Sequence, residues 1–348
     1  MIRLRSRKNT LAGSSIKTAK LLGLVLLSAL SCGMLPQAAH AQELTKIRYG
    51  VTASVAHLPV VVASETGLFR KYGFDVEVIH IRGGALITMT IMSGSVQFSG
   101  AGAESVVAAR IEGGDVVLLA CPVDTDAVYL MGRPEIKSAA ELKGKTAAVT
   151  RLGSTTHFYL RTALRKAGLD PDKDMTILQL GAGGEIAAAM LGGRVAASAL
   201  TLHNAFPLLQ MGWPVLVDLS KADFVYPSSC VASSRSFVGK NPAVVERFLK
   251  AYLEAIRTIR KETGSAERAF KKWQRETDSV VIKKTLEVYA PLFKPIPYVP
   301  DKGLDLVLSE LSRRRPVPKE FSDNPSQFRD HGPLEKLVRA GWIDQLYK

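Results

Sequence analysis

Residues 47–84 read IRYGVTASVAHLPVVVASETGLFRKYGFDVEVIHIRGG. Ile47, Tyr49 and Val51 alternate with polar or small residues, the two-residue period of a strand. Val60 to Tyr72 has the length of a helix, weakened at Gly67 and ended by Gly73. Asp75 to Ile81 is β-rich again, and Gly83-Gly84 makes a turn. In such a strand–helix–strand unit, the loop after the first strand lies at the carboxyl edge of a parallel sheet. Ligands of open α/β sheets bind at that edge. Thr52, Ala53, Ser54 and His57 are therefore expected to form the first wall of a binding site.

The alternation continues along the chain. Gly83-Gly84 opens an apolar helical segment, Ala85 to Ser93, and Val96–Phe98 reads as a short strand. Ala101, Gly102, Ala103 and Glu104 then lead into a helix ending near Arg110. Small residues there let backbone approach a ligand, and a helix start offers unpaired N–H groups to an anion; a tight turn would use the same residues. Val116 to Val123 reads as one apolar strand, broken by Asp124-Thr125-Asp126. That break is the expected crossing into a second domain. Thr146 to Thr150 is a strand, and Gly153, Ser154, Thr155, Thr156 and His157 run from its end into a helix. Hydroxyls and N–H groups at one helix start suit a sulfonate, carboxylate, nitrate or phosphate, or serve only as an N-cap. Further strands at Met175–Leu180 and Ala196–Thr201 alternate with helices, the second opened by Leu202, His203 and Asn204. The second domain is thus expected to be α/β with a mainly parallel sheet. Phe224 to Ser233 reads as the return crossing, with Tyr226 near the cleft. Asn241-Pro242 caps and starts a long helix with an apolar stripe of Val245, Phe248, Leu249, Tyr252, Leu253 and Ile256.

The chain has 348 residues, enough for about two domains. Residues 1–41 read as a secretory signal: basic residues from Arg3 to Lys20, an apolar run from Leu21 to Leu30, and Ala39-His40-Ala41 before the expected cleavage. A lipid anchor on Cys32 is the competing reading. The formal net charge is +14, of which six positive charges lie in this leader. The remaining excess is dispersed, without the aromatic interleaving or motif of a nucleic-acid binder. Only Cys121 and Cys230 follow the leader. Both sit in apolar, strand-like contexts, so buried free thiols are expected, with a disulfide as the alternative.

No reactive constellation stands out. There is no G-x-S-x-G elbow, no H-E-x-x-H and no cysteine–histidine metal spacing. His57, His157 and His203 open helices near the expected cleft and could meet an anion or a metal. The expectation is no metal, no cofactor and no catalysis.

The order of these features resembles a known family. Glu65-Thr-Gly-Leu-Phe-Arg-Lys-Tyr-Gly73, Ser93–Phe98 with its glycine turn, Arg133–Lys145, Gly153–Thr156, Ala167–Asp174, Asn241–Val245 and Gly341–Asp344 together resemble solute-binding proteins of ABC importers. The branch is the one named for nitrate, sulfonate, taurine and thiamine-precursor ligands. The resemblance implies an α/β, periplasmic-binding-protein type II fold: two α/β domains, a central ligand cleft and two crossing strands. It implies a domain I of residues 42–125 and 222–348 and a domain II of 126–221. Its implied cleft residues are Thr52–Ser54, His57, Gly83-Gly84, Ala101–Glu104, Gly153–Thr156, Gly183-Gly184, Thr201–His203 and Tyr226. It implies a periplasmic monomer that passes a small-molecule solute, such as a sulfonate, nitrate, taurine or aromatic carboxylate, to an ABC permease. A thiamine pyrimidine-precursor binding or synthesis protein and a ligand sensor are the alternatives. The cysteine-rich motif of the synthases is missing, and the leader opposes cytosolic biosynthesis.

Overall fold

The computed structural model describes residues 43–221 and 224–348, so the leader, its cleavage site and Cys32 lie outside the described residues. Ten strands are described: β1 (Thr45–Val51), β2 (Phe74–His80), β3 (Phe98–Ala101), β4 (Val117–Ala120), β5 (Val128–Gly132), β6 (Thr146–Val149), β7 (Thr176–Gln179), β8 (Ala197–Thr201), β9 (Val215–Asp218) and β10 (Cys230–Ser233). They form two five-stranded sheets, ordered β2-β1-β3-β10-β4 and β7-β6-β8-β5-β9. Each sheet is the centre of one α/β lobe. The chain passes between lobes twice, after β4 and before β10. The lobes pack closely enough that Leu44–Lys348 forms one compact unit.

The opening unit folds by its pattern. β1 buries Ile47, Tyr49, Gly50 and Val51 and pairs in parallel with β2, from Thr45 opposite Phe74 to Val51 opposite His80. The helix between them is two pieces, Leu58–Glu65 and Leu68–Lys71, because Gly67 takes φ +76° and stops the first. Pro59 sits in the first turn, where its missing N–H costs nothing. The long helix Pro242–Lys261 covers this sheet with the apolar stripe read from sequence. Phe248 is its centre, with its ring stacked 4.1 Å from Phe98 and near Tyr49 and Phe69. Asn241 precedes this helix but does not cap it with its side chain; its amide donates instead to the Phe237 carbonyl.

Two expectations are corrected. The second sheet is mixed: β6 runs parallel to β7 and β8, but β5 pairs antiparallel with both β8 and β9. β5 enters directly from the first lobe rather than through a helical crossover, so the crossing sets its direction. The first sheet has the same feature, with β10 antiparallel between β3 and β4. The second correction concerns the cysteines. Cys121 and Cys230 are joined in a disulfide, with Cα atoms 4.0 Å apart and a sequence separation of 109. They stand at the ends of neighbouring strands, β4 and β10, where the chain leaves and re-enters the first lobe. The apolar run 116–123 is accordingly shorter as a strand, because the chain turns into the crossing at Cys121.

Candidate functional site

A cavity of about 110 Å³ lies where the two lobes face each other. The first lobe supplies its wall from the ends of β1, β2 and β3. The Ser54 hydroxyl accepts from the Ala56 N–H and caps the short turn Val55–His57. That turn buries His57, whose Nε2 is 3.0 Å from Thr52 Oγ1. Burial, and secondarily His80, pull the His57 pKa down to about 3, so its ring is neutral at physiological pH. Its imidazole lies so close to Gly100 that any Cβ there would collide with it. After β2, Ile81 and Arg82 lead to Gly83, whose φ of +95° aims the next helix at the cavity.

The second lobe supplies hydroxyls. Thr150, Ser154 and Thr156 hydrogen-bond to one another at 2.8–3.1 Å, and the Thr150 N–H donates to Thr156 Oγ1 at 3.0 Å. Thr155 Oγ1 donates to the Ser228 carbonyl and receives the Tyr226 hydroxyl, both at 3.3 Å, tying the helix start to the return crossing. Gly102 packs against Thr155 at the same point. Asn204 donates to Thr201 Oγ1 at 3.1 Å and closes against Gly183. Arg82 and Glu185 form an ion pair from one lobe to the other.

Five helices of at least two turns begin around this cavity: Gly84–Met92, Ala103–Ile111, Thr155–Lys166, Gly183–Leu191 and Leu202–Gln210. None has a side-chain cap, although Ser154 and Thr201 are capping residue types. The Ser154 hydroxyl donates instead to the Arg151 carbonyl at 2.7 Å. Elsewhere in the chain, Ser234 and Asp278 do cap their helices. The positive ends of five helix dipoles therefore point toward one small space, while the leading N–H groups of two of them are already bonded, Ala103 to the Pro227 carbonyl and Leu202 to the Ala127 carbonyl.

Of the residues singled out from sequence, Thr52, Ala53, Ser54, His57, Gly83, Gly84, Gly102, Ser154, Thr155, Thr156, Gly183 and Thr201 line the cavity. Ala101, Ala103, Glu104, Gly153, Gly184, Leu202, His203 and Tyr226 lie outside its lining. Ala101 is a strand residue paired with Cys230, and the Ala103 N–H donates to the Pro227 carbonyl. Glu104 is buried and bound by Arg314 at 2.8 Å, so its carboxylate is spent behind the cleft. The Gly153 N–H donates to His157 Nδ1, which lies 3.9 Å from Glu104 Oε1 behind the cleft. His203 turns its edge to Phe270. Tyr226 is a fully buried core ring, stacked 4.2 Å from Phe158.

Sequence reasoning missed Asp126, Thr150, Tyr159, Ser228 and Ser229, which also line the cavity. The two aspartates breaking the apolar run at 124–126 were the available signal for Asp126. Tyr159 lies one helical turn beyond the Ser/Thr loop, on the face bearing Thr155 and Thr156. Among the described residues no group of three His, Cys, Asp or Glu side chains could hold a metal ion.

A family model described as NMT1/THI5 like matches residues 54–265. The YtlA protein of Bacillus subtilis (strain 168), provisionally named a binding protein, is 25% identical over 294 residues, covering 81% of this chain and 87% of YtlA. The periplasmic aliphatic sulphonate binding protein SsuA from Escherichia coli has a similar structure, with TM-score 0.63 and 23% identity over 80% of this chain and 91% of SsuA. The periplasmic nitrate-binding protein NrtA from Synechocystis PCC 6803 is similar with TM-score 0.70 and 14% identity, over 88% of this chain and 92% of NrtA.

Proposed function

From the premise that the chain belongs to the NMT1/THI5-like family, we propose that it is a solute-binding protein that holds a small organic or inorganic anion between its lobes and delivers it to an ABC importer. The observation carrying this reading is the convergence of five helix starts without side-chain caps on one cavity. Unpaired N–H groups at a helix start bind oxyanions without needing a cationic side chain. Hydroxyls of Thr52 and Thr156 add donors of adjustable direction. The similar folds of SsuA and NrtA, one named for sulphonates and one for nitrate, agree in ligand chemistry with such a site.

The moving parts on this reading are a domain I of residues 42–125 and 222–348 and a domain II of 126–221, hinged at the crossings. The protein works as a monomer outside the cytoplasm, after removal of residues 1–41. The Cys121–Cys230 disulfide suits an oxidising compartment. No described helix is long and apolar enough to cross a membrane. The ligand is bound and released unchanged.

A thermal-shift screen with alkyl sulfonates, taurine, nitrate and aromatic carboxylates tests the proposal. A ligand that binds only the folded state raises the melting temperature saturably. Recovery of that compound unaltered distinguishes a receptor from an enzyme. A saturable shift only with added control solutes that carry no anionic group, or conversion of the bound compound, would sink the reading.

A further inference from the structure

We propose that this cleft is a charge filter: it accepts a monoanion and rejects a dianion of the same shape. The inference rests on the anion-binding reading above and names the ligand's charge within it. Among the described lining residues Arg82 is the one lysine or arginine, and Glu185 from the opposite lobe already pairs with it. The other ionisable lining groups add no positive charge. His57 and His80 are both held below the usual histidine range by burial. Asp126 brings a carboxyl group, which can add only negative charge, although burial raises its pKa. It is buried, lines the cavity, and accepts the hydroxyls of Tyr159, at 3.2 Å, and Tyr289. Arg151 and Arg275 stand outside the lining and are exposed, where water and salt screen them.

The attractive side is limited in kind. Each helix start offers at most about half a positive charge, falling off within the first turn, and two of the five have their leading N–H bonded to a carbonyl, Ala103 to Pro227 and Leu202 to Ala127. The hydroxyls of Thr150, Ser154 and Thr156 are partly committed to one another, and that of Thr155 to the Ser228 carbonyl. These groups can replace the hydration of one negative charge spread over several oxygens. A second charge would lose far more hydration and would sit against the Asp126 carboxylate with no unpaired cation to meet it.

Propane-1-sulfonate and propane-1-phosphonate have the same tail and a three-oxygen head. At alkaline pH the phosphonate carries one more negative charge. Calorimetric titration of the purified protein with each is expected to show the sulfonate binding at least about tenfold more tightly, the scale of a modest electrostatic difference. In Asp126→Asn and Glu185→Gln the gap narrows, mainly through gain of phosphonate affinity. Glu185 is half-exposed, so its variant carries the test if the Asp126 variant does not fold. Equal or tighter binding of the phosphonate by the wild type overturns the filter. A gap that neither folded variant narrows overturns its assignment to these charges. Binding of neither probe overturns the anion-binding reading and the filter with it.

Discussion

Gly100 and Gly102 show how much of this site is set by what a residue leaves out. A methyl group on Gly100 would run into the His57 ring, and one on Gly102 would run into Thr155 with the Ser228 carbonyl behind it. Gly100→Ala is therefore expected to displace His57 and cost about 1–3 kcal/mol, the usual price of overpacking. Urea denaturation reads the loss, and a midpoint unchanged from wild type would refute the contact. His57 also predicts a pH dependence. Its folded pKa, about 3, lies below its unfolded value, and that of His331 is pulled to about 4 by burial and Arg329. The unfolded chain thus binds more protons between about 3 and 6.5, and stability falls as pH falls through that window, by up to ~1.4 kcal/mol per pH unit for each group. Asp126 works the other way, because burial raises its pKa. The acid limb of a pH–stability curve should flatten in His57→Gln. A limb as steep as wild type would show that His57 is not held neutral.

At the scale of elements, the helix Thr155–Lys166 joins the cleft to the back of the molecule. Its first turn lines the cavity, and its second turn buries Arg161 completely. The Arg161 guanidinium holds Asp172 in a two-bond fork at 2.6 and 2.7 Å and Glu310 at 2.7 Å. Burial opposes its charge, but the Asp172 and Glu310 hydrogen bonds outweigh burial and hold the arginine protonated. Glu310→Ala leaves that charge without half its partners, and a loss of about 3–5 kcal/mol is expected. Glu310→Gln should lose less, since it keeps an acceptor. Equal stability of both variants and wild type would count against the network. The helix also marks where sequence reading stops. Its start, its length and its Ser/Thr loop were legible, because each is set by neighbours in the chain. The partners of Glu104, Arg161 and Cys121 were not. Arg314, Glu310 and Cys230 lie 210, 149 and 109 residues away, and only the topology brings them close. Glu104 looked like a cleft residue for this reason: its position at a helix start was visible, and its distant arginine was not. Tyr226 was likewise expected among the cleft residues, but its burial against Phe158 depended on a packing partner that spacing does not name.

For the whole molecule, the disulfide and the cleft belong to one mechanical argument. The Cys121–Cys230 bond closes a loop that contains the entire second lobe, at the point where both crossings leave the first sheet. It constrains the unfolded chain strongly, because a loop of this length corresponds to about 4–5 kcal/mol in the chain-entropy view. It also pins the two crossings together without touching the cavity mouth. On the proposed function, closure then turns about this pinned neck, while Arg82–Glu185 and Thr155–Ser228 are contacts made as the lobes approach. Two results should separate these roles. The double variant Cys121→Ala, Cys230→Ala should melt well below wild type yet retain its ligand preference, because neither sulfur lines the cleft. Glu185→Ala should leave the melting temperature nearly unchanged, since the pair is exposed and such pairs contribute little. It should nevertheless shift the lobes toward a more open average, seen as a larger radius of gyration by small-angle scattering before ligand is added. Ligand should then restore the compact profile, because closure is driven by the helix starts gaining an anion from both sides. A scattering profile identical with and without ligand, in wild type and variant alike, would mean that the two lobes form a rigid body and that solute enters without hinge motion.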